Sequence, residues 1–106
     1  MDENISLPGD GFIKIDTVVH CSGGDTSSTL FLNNGNVLTV NESIDSMEEK
    51  LPAHRFVRLN PIRIVNIDFA NRYVKGPPAY VVLYDGTKIF VAPAWEKRYD
   101  KLLNSL

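Results

Sequence analysis

Short runs of β-branched and aromatic residues, broken by polar clusters, occupy most of this chain and predict strands. The first runs are Phe12 to Ile15, Thr17 to Cys21 and Thr29 to Asn33, separated by Asp16 and by the polar stretch Ser22 to Ser28. Asn34-Gly35 then predicts a two-residue hairpin of type I′, which needs φ > 0 at both central residues and pairs Leu30 and Leu32 with Val37 to Val40. The period changes after Val40. Ile44, Met47 and Leu51 recur at i, i+3 and i+7, so a short helix is expected, with Asn41 as its N-cap, Glu42 at its positive end and Pro52 ending it. Asp45, Glu48 and Glu49 fall on the opposite face, which is expected to be solvated.

Strand character returns at Phe56. Phe56, Val57 and Leu59 suit a partly buried strand, Asn60-Pro61 bends it because proline cannot donate to a ladder, and Ile64, Val65 and Ile67 resume the apolar run. Gly76-Pro77-Pro78 separates a strand over 72–75 from Ala79 to Tyr84, and Asp85-Gly86 predicts a second two-residue hairpin into Thr87 to Val91. After Pro93, the residues Trp95, Tyr99, Leu102, Leu103 and Leu106 recur at helical spacing, as core or dimer contact or as a base-stacking surface. The sum is a mainly β fold, an elongated antiparallel β sandwich of short strands with one short mid-chain helix and a short C-terminal helix. Residues 1–10 are expected as a flexible N-terminal segment and residues 11–106 as one domain.

Composition narrows the function classes. With 106 residues, 43% of them hydrophobic, the chain supports one core and not two comfortable domains. Its longest apolar run, Ala79 to Tyr84, is far below the roughly 20 residues of a membrane helix, and the acidic start Asp2-Glu3 does not resemble a signal peptide. The single cysteine, Cys21, excludes an intramolecular disulfide and suits a reducing cytoplasm. His20 and Cys21 are neighbours on a predicted strand and so face opposite sides, His54 lies in a separate loop, and neither a phosphate-cradling glycine loop nor a metal-ligand spacing is present. The chain therefore reads as non-enzymatic, with no cofactor.

The formal net charge of −2 hides an asymmetry: residues 1–49 carry nine acidic side chains and one lysine, residues 50–106 ten basic and four acidic ones. If Arg55, Arg58, Arg63, Arg72, Lys75, Lys88, Lys97 and Arg98 share a face, they form a phosphate-binding surface. If the two halves interleave, they neutralise each other.

Phe56-Val57-Arg58-Leu59-Asn60-Pro61-Ile62-Arg63-Ile64-Val65-Asn66 resembles the signature of LytTR-type DNA-binding domains, which reads roughly Phe-x-Arg-x-His-Arg-Ser-x-x-Val-Asn after a small helix. Gly11 to Asp16 is similar to that family's opening strand, and Tyr84 to Val91 to its last hairpin. Two blocks depart from the pattern. Asn60-Pro61-Ile62 stands where the family places His, Arg and Ser, and Ala92-Pro93-Ala94 replaces a Ser-Arg-Arg type segment. The resemblance implies a transcription regulator of the response-regulator, two-component kind that binds double-stranded DNA sequence-selectively through loops inserted in the grooves. It further implies an upstream sensor or another regulator protein as partner, and a weak homodimer or tandem binding at paired half-sites. The alternative is a LytTR-like scaffold that has lost base reading and binds another protein, through a strand edge or the apolar face of residues 95–106.

Six residues are candidates for the DNA contact. Asn60 either bonds an adenine edge or closes an Asx turn, and Arg63 either meets guanine or phosphate or pairs with a carboxylate. Arg58 shares a strand side with Phe56, so it contacts phosphate past the core edge or forms a structural ion pair. Ser28 closes the Ser22 to Ser28 stretch, from which the family draws a base-reading residue, although the same stretch also suits a plain loop. Lys97 and Arg98 follow the altered Ala92-Pro93-Ala94 block and are the nearest substitutes for its missing cations. Asn66 is expected to organise backbone.

Overall fold

A computed structural model describes residues 4–7 and 11–104, without the side chains of residues 7 and 102–104. Ten strands, two helices and two 3-10 turns make up this part. The central sheet has five antiparallel strands in the order β5-β4-β3-β7-β6: β3 Val18–Gly23, β4 Ser28–Leu32, β5 Val37–Val40, β6 Phe56–Asn60 and β7 Arg63–Asn66. A hairpin of β1 (Asn4–Leu7) and β2 (Gly11–Lys14) and a three-stranded sheet of β8 (Ala70–Val74), β9 (Ala79–Leu83) and β10 (Lys88–Val91) complete the β structure. Helix α1 spans Ile44–Lys50 and α2 Pro93–Asn104.

The central sheet carries apolar residues on both faces, so each strand buries successive side chains in different layers. One layer joins Val18, Cys21, Leu30, Phe56 and Ile64 to Ile44 and Met47 of α1, to Leu51 and to Ile5. The other joins Val19, Val57, Leu59 and Val65 to Val81, Leu83, Ile89 and Val91 of the small sheet and to Tyr99 of α2. Ile44, Met47 and Leu51 are all buried, as their spacing predicts, and among the described side chains of α2 Tyr99 enters the core. Of the stripe expected on that helix, Leu102, Leu103 and Leu106 lie outside the described side chains.

Several local expectations need correction. Within the segment expected to be a flexible lead-in, Asn4–Leu7 is a strand whose Ile5 is buried against the first core layer. Ser43, not Asn41, caps α1: its Oγ accepts the Ser46 N–H at 3.0 Å. The two glycine hairpins have three-residue loops. Gly35 N–H donates to Leu32 O and Leu32 N–H to Asn36 O, and Gly86 and Leu83 repeat this with Leu83 O and Thr87 O. Only the glycines take positive φ, +89° at Gly35 and +91° at Gly86, while Asn34 and Asp85 stay in the ordinary half of backbone space. Their side chains explain the choice, because Asn34 Oδ1 accepts the Asn36 N–H and Asp85 Oδ1 the Thr87 N–H, each at 2.9 Å.

These hairpins expose a repeat hidden in the sequence. A 3-10 turn, a three-stranded meander closed by a glycine loop and a helix occur once as Ile15–Thr17, β3 to β5 and α1, and again as Ile67–Phe69, β8 to β10 and α2. The β6–β7 hairpin lies between the two units and links them. Arg55, just before β6, pairs with Asp16 of the first 3-10 turn and, at 2.8 Å, with Asp68 of the second. Asn66 ends β7 fully buried, donating from Nδ2 to Val18 O at 2.9 Å and accepting the Asp68 N–H at Oδ1 at 3.0 Å. The backbone-organising role expected of Asn66 is the one it has.

Candidate nucleic-acid interface

Three connections meet at one end of the central sheet. Gly23 N–H donates to Ile62 O at 3.0 Å, tying the β3–β4 loop to the β6–β7 turn. Ala92 N–H donates to Leu59 O at 2.8 Å, tying the β10–α2 junction to β6. Asn60 completes the assembly: its Nδ2 donates to Phe90 O at 2.7 Å and its Oδ1 accepts the Ile62 N–H at 3.0 Å. Proline at position 61 fixes φ near −65° and rules out a primed hairpin turn, so an Asx turn closes the bend, with a register shift between Arg58 and Asn60. Asn60 is 6% exposed, and both ends of its amide are occupied within the protein.

Arg58 is held from both sides. Its Nη1 pairs with Asp45 and, at 3.1 Å, with Glu48 of α1, while Nη2 donates to Pro61 O at 2.6 Å and Nε to Asn60 O at 3.3 Å. Burial works against the Arg58 charge, but the hydrogen bonds to Asp45 and Glu48 outweigh it and raise its pKa above the ordinary guanidinium value. The α1 face expected to be merely solvated is therefore the anchor of this arginine, although Glu49 is exposed as expected. Glu48 also binds Arg98 at 3.0 Å, and both guanidinium groups lie about the Trp95 ring, at 6.0 Å for Arg58 and 5.8 Å for Arg98. Ser28 is buried, and its Oγ donates to Glu42 O at 2.8 Å. Its position directs the end of the β3–β4 loop and presents no free hydroxyl to a ligand.

Of the six sequence candidates, Asn60, Arg58 and Ser28 thus have their polar groups engaged inside the protein. Arg98 is exposed but paired, Lys97 is exposed, and Arg63 is half-buried with no carboxylate partner among the described residues. Part of the positive charge of the second half is neutralised within the protein: Arg55, Arg58 and Arg98 pair with Asp16, Asp68, Asp45 and Glu48, of which Asp16, Asp45 and Glu48 come from the acidic half. Arg63 and Lys88 remain together, on a groove that also includes Pro61, Ile62 and Phe90. No local pattern marks Phe90 and Lys88 as neighbours of the β6–β7 turn, because the contact crosses between sheets.

On its far side Arg63 faces a cleft with His20, Phe31, Asp85 and Thr87. The His20 ring stacks on Phe31 with centroids 4.2 Å apart, and its buried Nδ1 has no hydrogen-bond partner among the described residues. Burial, aided by the Arg63 charge and opposed by that of Asp85, lowers the His20 pKa to about 4. Cys21, on the opposite sheet face, is fully buried, and burial pushes its thiol up to about 11.

No family model and no curated protein sequence matches the chain. Among solved structures, a LytTr DNA-binding domain from Bacillus cereus aligns with a TM-score of 0.76 over 96% of this chain and 95% of that one, at 19% identity. The chain has the fold of a LytTR DNA-binding domain, as its motifs led us to expect. Among the described residues no helix is long and apolar enough to cross a membrane.

Proposed function

We propose that this chain is a DNA-binding regulatory domain that meets a duplex with the end where the β3–β4 loop, the β6–β7 turn and the β10–α2 junction converge. The likeness over 96% of the chain to a domain described as DNA-binding carries this reading. Arg63, Lys88 and Lys97 supply the phosphate contacts, since no carboxylate among the described residues holds them. Selectivity among sequences falls to Arg63 and to Thr26 and Ser27, which are exposed in the β3–β4 loop. Asn60 and Arg58 act by holding the turn in shape. The role is binding and not catalysis, exercised in the cytoplasm under an upstream sensor or regulator, with two copies on paired half-sites.

An anisotropy titration against random and promoter-derived duplexes at two salt concentrations tests this. Three phosphate contacts give a slope of log K against log salt of about −3, and Arg63→Ala flattens it by about one unit. Promoter duplexes should bind at least tenfold tighter than random ones. Absence of binding to any duplex at low salt refutes the proposal.

A further inference from the structure

The groove beside the β6–β7 turn combines two features that a phosphodiester backbone does not use together. It has a volume of about 460 Å³ and is lined by Asn60, Pro61, Ile62, Arg63, Lys88 and Phe90, with Ile89 at its floor. Ile62 is 51% exposed and Phe90 49%, so two large apolar side chains of its lining stand half out of the surface. Arg63 and Lys88 stand next to them, and neither has a carboxylate partner among the described residues, in a molecule whose other buried or half-buried arginines are all paired. Lys88 rests instead with Nζ 4.5 Å from the Tyr80 ring centroid. Across Phe90 lies a second apolar groove whose charged lining residue is Glu96, so positive charge marks only one of the two.

From this we infer that the Ile62–Phe90 groove is a docking site for an acidic segment of a partner protein that carries apolar side chains between its carboxylates. The charge complementarity selects the segment's sign, and the apolar pair selects its side chains, because an aliphatic or aromatic group entering between Ile62 and Phe90 removes apolar surface of both partners from water. Carboxylates flanking that group meet Arg63 and Lys88. Asn60, bonded to Phe90 O and Ile62 N–H, holds the two walls at a fixed separation, so the groove is formed before any partner arrives. Binding of the segment does not depend on DNA recognition. Where the DNA reading holds as well, both ligands use Arg63 and Lys88 and exclude each other, which makes the partner an inhibitor.

The test uses the full chain and a fluorescein-labelled peptide of alternating glutamate and leucine, followed by anisotropy, with lysine–leucine and glutamate–serine peptides of equal length as controls. The glutamate–leucine peptide should bind at least tenfold tighter than either control. Phe90→Ser, Ile62→Ser and Lys88→Glu should each weaken it by tenfold or more while leaving the circular dichroism spectrum unchanged, since these side chains are exposed. Phe12→Ser, which alters an apolar residue on β2 that is 76% exposed, should have no effect. Equal binding of the glutamate–serine peptide reduces the site to charge alone, and equal binding of the lysine–leucine peptide reduces it to non-specific adhesion. Either result overturns the inference, as does indifference to the groove variants. A duplex whose affinity falls with Phe90→Ser and Ile62→Ser reassigns the groove to nucleic acid and overturns it too.

Discussion

Arg58→Ala separates a structural arginine from a DNA-reading one. The substitution removes two ion pairs and two hydrogen bonds to carbonyls at the β6–β7 turn. Asp45 and Glu48 have side chains 82% and 37% exposed, so their carboxylates regain water, and each lost pair costs no more than about 0.5–1 kcal/mol. The Pro61 and Asn60 carbonyls each lose a charged donor, at about 1 kcal/mol apiece after competition from water. The total is about 3 kcal/mol, a large share of the roughly 5–15 kcal/mol that holds a domain together. With a urea slope of about 1–3 kcal/mol/M, the unfolding midpoint should fall by about 1–3 M at an unchanged slope. Arg58→Lys keeps the charge but cannot reach α1 and two turn carbonyls at once, so it should recover less than half of the loss. In a duplex titration, the salt dependence of either variant should match that of the parent chain. An unchanged urea midpoint together with a flattened salt dependence would place Arg58 on a phosphate and refute the reasoning.

Two further outcomes follow from buried polar groups. The folded chain holds His20 neutral down to about pH 4, whereas the unfolded chain binds that proton near the ordinary value of 6.5, so this group makes stability rise with pH across the interval and reach its full value above it. Its contribution is on the order of 2–3 kcal/mol, and His20→Gln should flatten the urea midpoint between pH 4.5 and pH 7, in buffers set at about those values, relative to the parent chain; parallel profiles would rule it out. Asn66→Ala leaves the fully buried Val18 O and the half-buried Asp68 N–H without this partner, at a cost of about 2–3 kcal/mol, and a calorimetric midpoint lowered by less than about 5 °C would contradict that.

Much of the scaffold was legible residue by residue. Runs of β-branched and aromatic residues placed most of the strands, the Ile44, Met47 and Leu51 stripe placed α1, and the Phe56 to Asn66 block together with the opening strand and the last hairpin pointed to the LytTR fold that the structure has. Errors arose where two local solutions compete. Asn34-Gly35 and Asp85-Gly86 suit a type I′ turn and equally a three-residue loop, and the side-chain bonds of Asn34 and Asp85 to the backbone two residues on decide for the loop. Asn41 and Ser43 are both capable caps, and helix register selects Ser43. The repeated unit is not legible in the sequence because its two copies share little beyond Ile-Asp in the 3-10 turn and the turn glycine, while the geometry they adopt is common to both.

Runs of β-branched residues, turn glycines and prolines act over a few residues, and so the sequence by itself determined most of the strands, both helices and their order, while strand Asn4–Leu7, which is set by its pairing with β2, was not among them. Where each charge ends up was decided only by the tertiary structure. Arg58 meets Asp45 and Glu48 of α1, and Arg63 and Lys88 come to share one groove, because the sandwich closes and carries segments distant along the chain to the same place. No local pattern encodes that outcome: an arginine in a strand costs the same locally whether a carboxylate or open solvent awaits it, and the free energy that distinguishes the two exists only after folding has chosen its neighbours.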